Sequence, residues 1–152
     1  MRPLESIVVM VQKEMAERIS AAPGTKDYSS FGILVEYYAE AEVLDRVPAN
    51  AFFPTPRVDS TILKLSLRST PAVEVVDRQL FFDVVRAGFG HRRKTLANAL
   101  AAAGNALSLT KEEARSALRS ASIDPRKRAE RLTITQFGRL ADNVYQVQEQ
   151  EA

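Results

Sequence analysis

The order of apolar and polar positions changes character along this chain. Residues 6–12, SIVVMVQ, are a nearly unbroken apolar run without alternation, which predicts a buried strand covered on both faces, as in a parallel α/β sheet. KEMAERISAAPG (13–24) reads as a short helix stopped at Pro23-Gly24. TKDYSSFGILVEYYAE (25–40) reads as a loop entering a second helix through Phe31, Leu34, Val35 and Tyr38. AEVLDRVP (41–48) predicts a second strand ending at Pro48. VDSTILKLSLR (58–68) alternates, with a change of phase near its middle, and predicts a third strand antiparallel to one neighbour.

Beyond a turn at Thr70-Pro71 the period becomes helical. Asp77 is placed to cap a helix whose stripe is Leu80, Phe81, Val84, Val85 and Phe89, broken at Gly88 and Gly90. Leu96, Ala99, Leu100 and Ala103 form a second stripe ending at Gly104. Thr110 with Glu113, and Thr133 with Gln136, are capping boxes, and Asp124-Pro125 predicts a further helix start. The expected organisation is an α/β part over 1–70, a linker over 71–77 and a small all-α bundle of four or five short helices over 78–152. As a domain the first part is odd: it matches the last strands and helices of a doubly wound, Rossmann-like sheet with nothing before them.

Composition adds exclusions. The chain has 152 residues, 45% hydrophobic and 26% charged, an ordinary balance for one or two globular domains. No apolar run approaches the roughly 20 residues of a membrane span, and the opening residues show no small-residue cleavage site, so a cytoplasmic location is the expectation. With no cysteine and one histidine, His91, neither a disulfide framework nor a metal centre is expected. The net charge of +2 hides a division: residues 1–77 hold 8 Lys/Arg against 11 Asp/Glu, and residues 78–152 hold 13 against 8. A polyanion would be drawn to the second half.

Three stretches carry candidate chemistry. In GHRRKTLANAL (90–100), Arg92, Arg93 and Lys94 crowd three cations at an expected helix start, where the helix dipole is already positive and a phosphate would relieve them. DPRKRAERL (124–132) repeats this with Arg126, Lys127 and Arg128. The plain alternative is a pair of solvated helix starts. In FFPTPRVDS (52–60), Pro54 and Pro56 remove two amide donors and stiffen an elbow bearing Phe52 and Phe53. Such rings are either core or an open platform on which a base stacks at roughly 1 to 3 kcal/mol. Tyr28, Tyr37 and Tyr38 read as packing and surface. The one G-x-G, at Gly88 and Gly90, follows no strand and is no nucleotide loop.

MVQKEMAERI, APGTKDYSSFGILVEYYAEAE, VPANAFFPTPRVDSTILKL, AGFGHRRKTLANAL and RAERLTITQFGRLAD, taken together and in order, resemble the ribosomal RNA adenine dimethyltransferases over about residues 6–141. The resemblance implies a parent enzyme that uses S-adenosylmethionine to place two methyl groups on N6 of each of two adjacent adenines, in a hairpin near the 3′ end of small-subunit rRNA. It assigns Phe52 to stacking on the flipped-out target adenine, with Phe53 at the motif's variable place. Arg92, Arg93 and Lys94 are implied phosphate contacts, and Arg126, Lys127 and Arg128 match more loosely.

The E-x-G-x-G cofactor loop, the ribose-holding acid and the N-L-P-Y motif of the family are not in the sequence. The chain therefore resembles the carboxy-terminal half of such an enzyme, expected to be inactive by itself, with no catalytic, cofactor-binding or metal-ligating residue of its own. The expected partner is rRNA of the immature small ribosomal subunit, with no membrane, and self-association is expected through strand 6–12, left as an open edge. Two other readings stand beside this one: a non-catalytic helical module that binds RNA or the ribosome, and a relative of the resistance methyltransferases that act on large-subunit rRNA.

Overall fold

The structure is a computed structural model that describes residues 3–151. Residues 1, 2 and 152, included in the expected domain boundaries, lie outside the described residues. Two compact units form, one from residues up to Ala22 together with Asp27–Ala72, the other from Pro23–Lys26 together with the residues from Val73 onward.

The first unit runs β1 (Ser6–Gln12), α1 (Lys13–Ile19), α2 (Ser30–Tyr38), β2 (Ala39–Val47), a 3-10 turn at Ala49–Ala51, and β3 (Ser60–Leu67). The strand order is β1-β3-β2, and β3 is antiparallel to both neighbours, with Leu63 opposite Val9 on one side and Val43 on the other. The sequence pattern suggested one antiparallel neighbour. The expected phase change in β3 is instead an irregularity in β2, between Val43 and Asp45. Tyr28, Ile33, Tyr37, Ala39 and Leu63 are buried with Ala16 of α1.

β1 corrects the expectation of a buried strand in a parallel sheet. It lies at the sheet's edge, and Val8 and Met10 are 60% and 54% exposed. The alternation of β3 explains this. Thr61 and Leu63 are buried and share a face with the half-buried Val9 and Val11, while Val8 and Met10 point to the other face, which is open among the described residues. An unbroken apolar run is therefore half-covered here.

Ser29 starts α2 by accepting from the Gly32 amide at 3.2 Å. Gly32 is required for a different reason: a Cβ there would lie 2.6 Å from the Arg18 carbonyl, where the end of α1 meets the helix.

The second unit holds α3 (Arg78–Gly90), α4 (Leu96–Ala101), α5 (Lys111–Ser120) and α6 (Ile134–Glu151), with 3-10 turns at Gly104–Ala106 and Ala129–Arg131. Leu80, Phe81, Val84, Val85, Leu96, Leu100, Leu118, Phe137, Leu140 and Val144 make its core. Asp77 caps α3 through the Leu80 amide at 2.9 Å, and both expected capping boxes form, at Thr110/Glu113 and Thr133/Gln136. Residues of the expected linker are also engaged: Val73 and Val75 lie against Gly138, and the Val76 amide donates to Asp142.

The expected break at Gly88 and the expected helix start at Asp124-Pro125 both fail. α3 is not broken at Gly88 but continues to Gly90, because Gly88 is buried where a Cβ would come within 3.2 Å of Ala129 and Leu96. Asp124-Pro125 does not start an α-helix. Residues 124–127 make one turn, closed by the Lys127 amide on the Asp124 carbonyl at 3.0 Å, and regular structure resumes only at Ala129. The Pro125 and Lys127 carbonyls are turned toward α4 instead, which removes them from any helix of their own.

Candidate nucleic-acid interface

Arg92, Arg93 and Lys94 sit in the turn between α3 and α4, not in the first turn of a helix. The Lys94 amide closes that turn on the His91 carbonyl at 2.9 Å. The dipole argument made from the sequence also needs correction. The first amides of α4 are already occupied, Leu96 by the Lys127 carbonyl at 2.7 Å and Ala97 by the Pro125 carbonyl at 3.4 Å. A phosphate arriving here meets side chains rather than free helix amides.

Those same bonds bring the two basic triplets together. The 91–95 turn and the 124–128 turn are joined through Leu96 and Lys127, so Arg92, Arg93, Lys94, Arg126, Lys127 and Arg128 share one neighbourhood, and all six are exposed. A cleft of about 450 Å³ is lined by Gly90, His91, Arg92, Arg93 and Lys94. Six exposed cations on two adjoining turns gather positive charge on one part of this unit's surface.

The cations are not equivalent. The Arg92 guanidinium donates to the Lys26 carbonyl at 2.9 Å, which fixes its direction. Arg126 is clamped by Asp124: its backbone amide, Nε and Nη2 all donate to that carboxylate, at 2.9, 3.2 and 3.1 Å. The side-chain hydrogen bonds with Arg126 hold the Asp124 carboxyl below its usual range and push the Arg126 guanidinium up. Among the described residues no close ion pair involves Arg93, Lys94 or Arg128, which leaves these three readier to meet an anion, while the Lys127 charge also acts on Asp124. The side-chain half of the Asp124 clamp was not read from the sequence, whereas its backbone half, Asp124 accepting from the amide two residues on, is the local chemistry of an Asx turn.

In the first unit, the elbow 48–59 leaves the 3-10 turn and returns to β3. Its ends are tied by the Ala49 amide donating to Asp59 Oδ1 at 2.9 Å, and Thr55 Oγ1 donates to the Phe52 carbonyl at 3.3 Å. The Asp59 carbonyl in turn accepts from the Lys13 amide at 3.0 Å. Asp59 is thus the residue that closes the elbow, a role not read from the sequence. Phe52 is half-buried, whereas the Phe53 ring is 101% exposed.

Comparison with known proteins bears on what such surfaces serve. The model of the ribosomal RNA adenine dimethylase family matches residues 1–146. The chain belongs to that family. A ribosomal RNA small subunit methyltransferase A from Clostridium botulinum (strain Loch Maree / Type A3) is 45% identical over 143 residues, covering 94% of this chain and 50% of the relative. The protein of the same name from Shouchella clausii is 48% identical over 145 residues, covering 94% and 48%. The chain thus spans about half the length of the curated relatives it matches. Among solved structures, a dimethyladenosine transferase from Plasmodium falciparum superposes with a TM-score of 0.76 at 27% identity, over 92% of this chain and 57% of that one. The 23S rRNA methyltransferase ErmE, at 22% identity and a TM-score of 0.60, shares the fold over 93% of this chain and 55% of its own.

The family uses S-adenosylmethionine, and the residues present here do not fit it. β1 passes directly into α1 at Lys13 with no glycine turn between them, and Gly88 and Gly90 lie inside α3, with Gly88 packed against Ala129 and Leu96. Neither place can wrap a nucleoside.

Proposed function

We propose that this chain carries the RNA-holding part of an rRNA adenine N6-dimethyltransferase. Phe52 stacks on the flipped-out target adenine, and Arg92, Arg93, Lys94, Arg126, Lys127 and Arg128 meet phosphates of small-subunit rRNA. The target is a 3′-terminal hairpin with two adjacent adenines on the immature subunit, in the cytoplasm. The observation that carries this reading is the junction of the two cationic turns through Leu96 and Lys127, since six exposed cations gathered there would repel one another without a polyanion.

On this reading the chain holds RNA and target base but transfers no methyl group, because its own residues offer no seat for the donor. The test is direct: a hairpin fragment of small-subunit rRNA should be retained by the chain on a filter, while titration calorimetry with S-adenosylmethionine shows no heat. A micromolar donor site would overturn the inactive assignment, and failure to bind the hairpin would overturn the RNA assignment.

A purely binding module is the second reading, favoured by the separate buried core of the second unit. Under it Phe52→Ala leaves affinity for the hairpin unchanged. Competition between small- and large-subunit hairpins tests the remaining alternative, a large-subunit target. A second copy of the chain is the further partner, engaged through the open edge of β1.

A further inference from the structure

Phe53 has no account in the fold. Its ring is 101% exposed, while every other exposed large apolar side chain among the described residues keeps at least a third of its surface covered. The segment that holds it is not loose. Pro54 and Pro56 fix two φ angles, Asp59 ties the elbow's ends together, and Thr55 bonds the Phe52 carbonyl. An aromatic ring kept in water on a stiff support loses little conformational freedom when it meets a flat partner.

The two rings differ in setting: Phe52 is half-buried, whereas the neighbouring Phe53 stands fully in solvent. The surroundings indicate the class of partner. From Pro48 to Val58 the only charged side chain is Arg57, which is exposed and cationic, and the Asp59 carboxylate is engaged by the Ala49 amide. One ring among prolines, Thr55 and Asn50 offers far less than the roughly 1,200 Å² of a stable protein interface. It is enough for one base.

We propose that Phe53 is a second stacking surface, which takes the unpaired base next to the target adenine in the RNA. The inference rests on the proposed function, in which Phe52 takes the target. It makes the elbow a reader of two neighbouring unpaired bases.

The chain has no tryptophan, so Phe53→Trp supplies a single emitter. Its fluorescence should be quenched by a hairpin carrying two adjacent unpaired adenines and unaffected by a fully paired duplex, with binding followed separately by anisotropy of labelled RNA. Leu4→Trp is the control emitter, expected to show no quenching. Phe53→Ala should weaken hairpin binding about tenfold. With 2-aminopurine at one adenine or the other, Phe53→Ala should change the emission of the neighbour and Phe52→Ala that of the target. RNA that binds without quenching Trp at position 53, or a duplex that quenches it equally, would overturn the inference and leave the proposed function standing. Absence of RNA binding would remove both.

Discussion

The Leu96 amide donates to the Lys127 carbonyl across 2.7 Å, and this bond joins two basic turns separated by more than thirty positions in sequence. It caps the start of α4 with backbone from a distant turn, and so fixes where the cations of both turns stand. The cap and the charge cluster are one construction. Loss of the turn at 124–128 would disorder both.

Replacing Arg92, Arg93 and Lys94 together with Gln should flatten the dependence of log affinity on log salt by about 2 to 3 units, at roughly 0.7 to 0.9 per lost phosphate contact. Lys127→Gln with Arg128→Gln should remove about 1 to 2 units more, because the two turns adjoin. Arg126→Gln should remove less, since Asp124 already holds that guanidinium. Filter binding across a salt series, with circular dichroism confirming the helices, reads all three. An unchanged slope in the first variant would return the cluster to a solvated surface.

Much of this was legible in the sequence where the signal is local. The capping boxes at Thr110 and Thr133, the cap at Asp77 and the apolar stripes depend on neighbours three or four residues away. What failed depended on distant partners. Asp124-Pro125 has the local chemistry of a helix start, but the Pro125 and Lys127 carbonyls go to α4. SIVVMVQ has the composition of a buried strand, but coverage is a property of the sheet and not of the strand. At the candidate site the identities of the cations were readable, and their meeting was not, because it passes through a backbone bond that no side-chain pattern encodes.

Gly32→Ala should cost about 1 to 3 kcal/mol, since the added methyl would lie 2.6 Å from the Arg18 carbonyl and backbone must move. Gly90→Ala is the contrast. Nothing lies within 4 Å of a Cβ there, so relief of glycine's helix penalty should leave stability unchanged or raised by up to about 1 kcal/mol. Urea denaturation of the two variants checks the pair, and equal losses would show that the close approach of α1 and α2 can relax.

Burial holds the Glu36 carboxyl above its usual range, against the opposing pull of Arg68, while burial, with Glu36 adding to it, pushes the Tyr28 hydroxyl up. The sign follows from proton binding. Between the ordinary carboxyl value of 4.5 and the higher folded value of Glu36, the native state binds the extra proton, so stability falls as pH rises through that window. Glu36→Gln removes this loss. Its Tm should exceed that of the parent chain near neutral pH and match it below about pH 4. A Tm difference that does not vary with pH would assign the effect to packing.

The edge of β1 makes the last prediction. The Leu67 amide bonds the Glu5 carbonyl at 2.9 Å and the Lys13 amide bonds the Asp59 carbonyl at 3.0 Å, both in the register that pairs Ser6 with Ser66. In an antiparallel ladder, residues facing the neighbour alternate, so odd-numbered positions bond β3 and Ser6, Val8 and Met10 turn their amides and carbonyls to the open edge. No charged residue lies between Ser6 and Gln12, whereas β2, at the other edge, carries Glu40, Glu42, Asp45 and Arg46. Charge of that kind discourages edge pairing, and β1 lacks it. The chain should therefore self-associate through β1 as its concentration rises, in sedimentation equilibrium or light scattering. Val8→Lys should abolish this without harming the fold, because Val8 is 60% exposed and the new ammonium group stays in water. A parent chain that remains monomeric at high concentration, with the amides of Val8 and Met10 exchanging freely, would rule the edge out as a contact.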